Sequence, residues 1–185
     1  MGRHGQIEAA RGLTRAVFLD RDGVLTRSST RGGKPFAPPT LEAFELLPGV
    51  REGVARLREA GFCLVVVTNQ PDVGAGKLRR EIVEQMHARL RAWLPLDDIR
   101  VCCHTDGDGC NCRKPKPGML LEAAKERGID LSRSFMVGDR WRDVSAGRAA
   151  GCKTIFVDYG YKESLVDQPD FVVTSFAEAA SIILQ

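Results

Sequence analysis

Asp20 and Asp22 stand two residues apart directly after an apolar run, Ala16-Val17-Phe18-Leu19, and Gly23 follows them. Carboxylates at the end of a buried strand lose hydration, a cost that a cation or a bound substrate must offset. A lone Asp-x-Asp is more often a turn or capping pair, but two other apolar runs end in comparable chemistry. Thr68-Asn69-Gln70 follows the run 62–67, and Gly138-Asp139 follows the run 135–137, with Asp143 four residues further on. Ligands of an open parallel sheet bind at the carboxyl ends of its strands. Three such ends, with Asp20, Asp22, Asp139, the Thr68 hydroxyl and Lys114, suit a hard divalent cation and a phosphate. Mg2+ is the expected ion and phosphoryl transfer the expected chemistry.

A second constellation is soft. Cys102, His104, Cys110 and Cys112 place three thiols and an imidazole within a short segment, a donor set that matches a closed, tetrahedral Zn2+ site. Each end of the loop 105–109 carries two ligands separated by one residue, and the loop's two glycines let the ends converge. Four protein ligands leave no open position, so the zinc is structural. It staples the loop that presents Arg113 and Lys114. Cys103 is the spare, expected to point into the core.

Positioning these groups requires strands alternating with helices. Short runs rich in β-branched residues at 16–19, 62–67, 99–103, 135–137, 154–157 and 171–173 predict strands. Val50, Val54 and Leu57 form one stripe of a helix ended by Gly61, and a second helix spans about 77–94 before Pro95. Ser175 and Glu178 form a Ser-x-x-Glu capping pattern opening a final helix that reaches about Leu184. The fold class is therefore α/β, a doubly wound, Rossmann-like parallel sheet. Two long loops remain, about 26–40 and 103–118, and neither is large enough for a cap domain. His4 and His87 have no partner at motif spacing and read as surface or packing residues.

In order, Asp20-Arg21-Asp22-Gly23-Val24-Leu25, Thr68-Asn69, Lys114 and Gly138-Asp139 with Asp143 resemble the four motifs of the haloacid dehalogenase superfamily over residues 16–158. The resemblance implies Asp20 as nucleophile, Asp22 as acid and base, and Thr68 with Lys114 as phosphoryl holders. It implies Mg2+ held by Asp20, Asp139 and the Asp22 backbone carbonyl. Whether Asp143 ligates or supports that shell is open. Cys-x-His, then Cys-x-Cys-Arg-Lys-Pro, then Pro117-Gly118-Met119, is similar to the D-glycero-D-manno-heptose-1,7-bisphosphate 7-phosphatase family and to the related histidinol-phosphate phosphatases. The Pro-Gly-Met run and Asn69-Gln70 favour the first branch, while the short zinc loop favours the second. In the heptose family the residue matching Arg113 recognises substrate, and a basic residue, here Arg140, follows the metal-binding Asp. Asn69 and Gln70 join these two as expected substrate contacts. The stretches 26–36 and 71–77 depart from the family pattern, and Lys34, Arg31 and Lys77 are candidate contacts to a second phosphate.

The 185 residues predict one domain over 15–185 preceded by a flexible extension over 1–14. Lys and Arg number 27 against 24 Asp and Glu, so the net charge of +3 argues for neither nucleic acid nor a membrane surface. The longest apolar run is far shorter than the roughly 18 residues that cross a bilayer. A reducing, cytoplasmic location and a monomer acting on a small phosphorylated sugar are expected. A zinc knuckle binding nucleic acid would want basic and aromatic residues around its ligands, whereas the loop holds Asp106 and Asp108 and no aromatic.

Overall fold

Ala16, Val17, Phe18 and Leu19 have no exposed surface, and they face two different cores. Val17 and Leu19 pack into one cluster and Ala16 and Phe18 into the other, as the two-residue period of a strand with both faces covered requires. A computed structural model describes residues 13–185. The strands are β1 (Ala16–Leu19), β2 (Ser29–Arg31), β3 (Lys34–Phe36), β4 (Cys63–Asn69), β5 (Asp98–Cys102), β6 (Phe135–Gly138), β7 (Lys153–Val157) and β8 (Phe171–Val173). The helices are α1 (Val50–Glu59), α2 (Pro71–Gly74), α3 (Arg80–Trp93), α4 (Gly118–Arg127), α5 (Trp141–Ala150) and α6 (Phe176–Ile183). The extension expected over 1–14, His4 included, lies outside the described residues except for Leu13 and Thr14. Thr14 bridges to Ile129, and its N–H donates to Gly128 O at 2.8 Å.

Six strands form one parallel sheet in the order β5-β4-β1-β6-β7-β8. The chain winds outward from β1 through β4 to β5, then returns to the other side of β1 through β6. That reversal is the topological switch at which doubly wound sheets open a crevice. Helices α1, α3 and α6 cover one face through Val50, Val54, Leu57, Met86, Leu90, Phe176 and Ala180. Helices α4 and α5 cover the other through Leu120, Ala123, Ala146 and Ala150.

All six expected strands form, with ends shifted by a residue or two. The helix expected over about 77–94 forms as α3 but starts at Arg80, and the separate short turn α2 at Pro71–Gly74 precedes it. At the last helix the Ser175 hydroxyl accepts from Glu178 N–H at 3.3 Å. The Glu178 carboxylate reaches Thr174 N–H at 2.8 Å rather than that of Ser175, one residue earlier than a capping box requires. The expected loop 26–40 contains the antiparallel hairpin β2–β3, with Ser29 paired to Phe36. Its Gly32-Gly33 turn has positive φ at both residues, the conformation that closes a tight hairpin. Cys103 falls just beyond β5 and is half-buried instead of entering the core. Among the described residues no helix is long and apolar enough to cross a membrane.

Candidate active site

Strand ends and the loop after β5 bring the acidic groups and Lys114 to one side of the sheet. Asp20 directly follows β1, and its N–H donates to Val137 O on β6 at 2.9 Å. The chain then turns sharply at Gly23, whose φ is +95°. A Cβ there would lie 1.9 Å from Asp139 Oδ2, so the turn needs glycine both for its backbone and for the approach of Asp139. Gly138 is equally confined, since a Cβ would meet that of Asp143 at 2.0 Å.

Lys114 is the electrostatic centre. Its ammonium, on a side chain only 2% exposed, donates to Asp20 Oδ1 at 2.7 Å and Val67 O at 2.7 Å, and pairs with Asp143 Oδ1 at 2.6 Å. Those three contacts use its three donors. Burial alone would lower the Lys114 pKa, but Asp143 and Asp20 outweigh it and raise the value, keeping the charge. Asn69 latches the same residue through its backbone: its Nδ2 donates to Lys114 O at 3.0 Å and its Oδ1 accepts from Lys114 N–H at 3.1 Å.

The carboxylates differ in their surroundings. Asp20 is pushed up to about 7 by burial, against the pull of Lys114. Asp139 is 1% exposed and is raised well above the usual range by burial, then by the charges of Asp20 and Asp143. Burial also acts upward on Asp22, but Arg21, Gln70 and Thr26 outweigh it and hold this carboxyl below the usual range. Asp143 uses Oδ1 on Lys114 and Oδ2 to accept from Arg140 N–H at 3.0 Å.

Among the described residues, the buried side-chain polar atoms without a hydrogen-bond partner are both oxygens of Asp139 and Nη1 of Arg113. Both residues line one cavity of about 350 Å³, together with Asp20, Asp22, Thr68, Asn69, Gln70, Lys114 and Arg140. Unpartnered buried polar atoms are costly, and here they are an anion acceptor pair and a cationic donor facing a common space. Oxygen atoms of Asp20, Asp139 and Asp143 come within 4.8 Å of one another. Their hardness and the two free oxygens of Asp139 fit a divalent cation such as Mg2+.

The thiol and imidazole cluster also assembles. Cys112 Sγ lies 3.2 Å from Cys102 Sγ, 3.5 Å from Cys110 Sγ and 3.3 Å from His104 Nδ1. Cys102 Sγ lies 3.7 Å from Cys110 Sγ. Zn–S bonds of about 2.3 Å in a tetrahedron place sulfurs ~3.8 Å apart, so the four groups need little movement to enclose one ion. The loop between the ligands is tied down at Asp106, which accepts from Arg113 Nε at 2.8 Å and Arg142 Nη1 at 3.0 Å.

Every expected acid and phosphate-holding residue thus borders one cavity. Lys34 borders it as well, whereas Arg31 and Lys77 do not. Sequence reasoning passed over Ser28 and Phe36 beside the hairpin and Arg142 in the first turn of α5. Their signal was confined to the loop's departure from the family pattern and to a basic residue one turn after Gly138. It also left His87 as a surface or packing residue, although its ring faces Arg21, the residue between the two motif acids.

A doubly wound sheet with three acids and a buried lysine at its switch point defines a metal-assisted, phosphate-handling hydrolase. Residues 111–179 match the HAD-hydrolase-like family model. The chain is 36% identical over 178 residues to D-glycero-beta-D-manno-heptose-1,7-bisphosphate 7-phosphatase of Pseudomonas aeruginosa, covering 91% of this chain and 97% of the relative. The enzyme of that name from Pasteurella multocida is 35% identical over 189 residues, with 92% and 97% covered. The crystal structure of D,D-heptose 1,7-bisphosphate phosphatase from B. bronchiseptica, complexed with magnesium and phosphate, aligns with a TM-score of 0.81 at 31% identity, covering 93% of this chain and 99% of that one. The chain belongs to the heptose-1,7-bisphosphate 7-phosphatase family of haloacid dehalogenase-like phosphatases.

Proposed function

We propose that the protein is a Mg2+-dependent phosphomonoesterase that removes the C7 phosphate of D-glycero-D-manno-heptose 1,7-bisphosphate, leaving a heptose 1-phosphate for nucleotide activation. The observation that carries this reading is the pairing of an unpartnered buried carboxylate, Asp139, with an unpartnered buried guanidinium nitrogen of Arg113 across one cavity. A cation and a phosphorylated substrate satisfy both. The names of the relatives supply the substrate.

Asp20, Asp139 and the Asp22 backbone carbonyl would hold Mg2+, with Asp143 holding Lys114 and the start of α5 in place. When bound, the ion supplies charge neutralisation between the carboxylates and the phosphoryl oxygens. Asp20 has one oxygen anchored by Lys114, and the other forms a bond to phosphorus as the bond from phosphorus to the sugar oxygen breaks. Asp22 gives a proton to the departing alkoxide. It then takes one from the water whose oxygen displaces Asp20 from the aspartyl-phosphate, which regenerates both acids. The ionised form that Arg21 favours suits the second step, and the incoming phosphoryl charge raises the proton affinity of Asp22 for the first. Thr68 holds a non-bridging oxygen, and Lys114, whose three donors the protein takes, offsets the phosphoryl charge by its proximity. Arg113 and Arg140 contact substrate, while Asn69 and Gln70 stand at the same cavity and keep Lys114 and Asp22 in place.

Cys102, His104, Cys110 and Cys112 would hold a structural Zn2+, fixing the loop that presents Arg113 and Lys114. Six cysteines without a disulfide fit a reducing compartment such as the cytoplasm. The chain carries the whole set of groups, which supports a monomer as the catalytic unit. Residues 15–185 would act as one domain.

Phosphate release from both anomers of heptose 1,7-bisphosphate, fructose 1,6-bisphosphate and histidinol phosphate, with Asp20→Asn as the blank, tests the reading. A marked preference for a heptose anomer is expected. Preference for histidinol phosphate, or no release above the blank, overturns it.

A further inference from the structure

Arg21 is fully buried, and its guanidinium has a distinct partner on each edge. Nε donates to Asp22 Oδ1 at 3.0 Å, Nη2 donates to Asp22 Oδ2 at 2.7 Å, and Nη1 lies 3.1 Å from Nε2 of His87. The Phe44 ring lies beside it, 5.3 Å from Cζ to the centroid. Arginine has no acceptor and stays protonated, so the contact with His87 is a hydrogen bond only when Nε2 carries no proton. His87 is neutral, and the always-donating Arg21 nitrogen at Nε2 selects the tautomer with the proton on Nδ1. The residue is 6% exposed on the buried face of α3, and burial, with the charges of Arg21 and Arg91, pulls it down to about 4.

The Asp22 carboxylate also accepts from Thr26 Oγ1 at Oδ1, 2.9 Å, and from Gln70 Nε2 at Oδ2, 2.8 Å. Each of these holds one oxygen. Only the Arg21 fork grips both, so it fixes the plane of the carboxyl group. A planar guanidinium turns as one body, and the edge gripped by His87 therefore sets the edge presented to Asp22.

We propose that His87 is a positioning residue for proton transfer, acting through Arg21 to set the orientation of the Asp22 carboxyl group towards the oxygen that leaves phosphorus. The proposal rests on the reading of Asp22 as acid and base. His87 touches neither substrate nor metal. Its contribution is the neutral acceptor on α3, a helix that borders the sheet and otherwise supplies packing.

Leaving-group dependence separates this role from a structural one. A sugar alkoxide needs a proton as it departs, whereas 4-nitrophenolate does not, so kcat/KM, which covers the steps through leaving-group departure and not the later hydrolysis of the aspartyl-phosphate, is measured for His87→Leu, His87→Gln and Asp22→Asn with heptose 1,7-bisphosphate and 4-nitrophenyl phosphate. The expected result is a loss of about tenfold or more on the sugar phosphate for His87→Leu. The aryl phosphate should change by no more than about threefold, and His87→Gln, which restores an acceptor, should recover most of the loss. Should His87→Leu not fold, Arg21→Lys, which keeps the buried charge and removes the fork, must give the same split. Equal losses on both substrates, or none, overturn the proposal when Asp22→Asn shows the split. If Asp22→Asn shows no split, the acid and base reading fails and the proposal falls with it.

Discussion

Replacing Lys114 by methionine removes the only cation among the described residues in contact with both Asp20 and Asp143 while keeping most of the buried side-chain volume. The ammonium is 2.7 Å from Asp20 and 2.6 Å from Asp143, and Asp139 belongs to the same cluster. Formally the cluster passes from −2 to −3 at residues with 8%, 2% and 1% of their surface exposed. Breaking a buried pair from one side costs about 3–5 kcal/mol. Part of that is relieved by proton uptake, and the sign follows from Asp20, which already sits near 7 against burial with Lys114 pulling it down. Without Lys114 its folded-state pKa rises further above the unfolded value of roughly 4. A group raised on folding stabilises the folded state below its unfolded pKa and loses that contribution as pH rises through the folded pKa. The variant should therefore be destabilised most at about pH 8 and progressively less towards about pH 5. Urea denaturation of both proteins in Mg2+-free buffer across that range measures the difference. In parallel, phosphate release should fall by about 10²–10³-fold, as for the loss of one preorganised group that stabilises the transition state. A destabilisation under about 1 kcal/mol with no pH dependence would refute the view that Lys114 compensates buried carboxylates.

Asp139→Asn should abolish phosphate release yet stabilise the protein by about 1–3 kcal/mol in Mg2+-free buffer, because it removes an unpartnered buried charge beside two others; equilibrium denaturation with and without Mg2+ reads both the gain and its reversal. Cys112→Ser should lower bound zinc from about one equivalent to well below half by elemental analysis, and weaken binding of substrate through Arg113 more than it alters Asp20 chemistry. A retained full equivalent of zinc would remove Cys112 from the ligand set. For Gly23→Ala, the new methyl would sit within bonding distance of Asp139 at a backbone angle that alanine disfavours, so a loss of more than about 3 kcal/mol or of soluble protein is expected. Unchanged thermal unfolding would show that the turn relaxes.

The order of motifs was legible in the chain itself. Asp20-Arg21-Asp22-Gly23 after a buried strand, Thr68-Asn69 after another and Gly138-Asp139 after a third are local patterns, since each pairs an apolar run with the polar residues at its end. Ligand spacing at 102, 104, 110 and 112 is local as well. Periodicity located six strands and the helices α1 and α3, because burial on two faces or one is written into the alternation of residue types, while α4 and α5 received no bounds from it. The hairpin β2–β3 escaped that reading: its three-residue strands are mostly exposed and have no apolar alternation to reveal them.

Which groups meet was decided only in three dimensions. Lys114 reaches Asp20 from 94 residues away because the order β5-β4-β1-β6 puts the loop after β5 over the end of β1, and Asn69 then holds its backbone. His87 meets Arg21 across 66 residues because α3 packs on the face of the sheet that β1 also faces. Strand order, register and the rotation of a helix about its axis set such pairings, and many arrangements share the same local pattern of apolar and polar residues. The sequence by itself therefore determined the chemical groups available and the strand ends that carry them, whereas long-range packing decided which carboxylate is compensated, which is left for a cation, and which is held by an arginine.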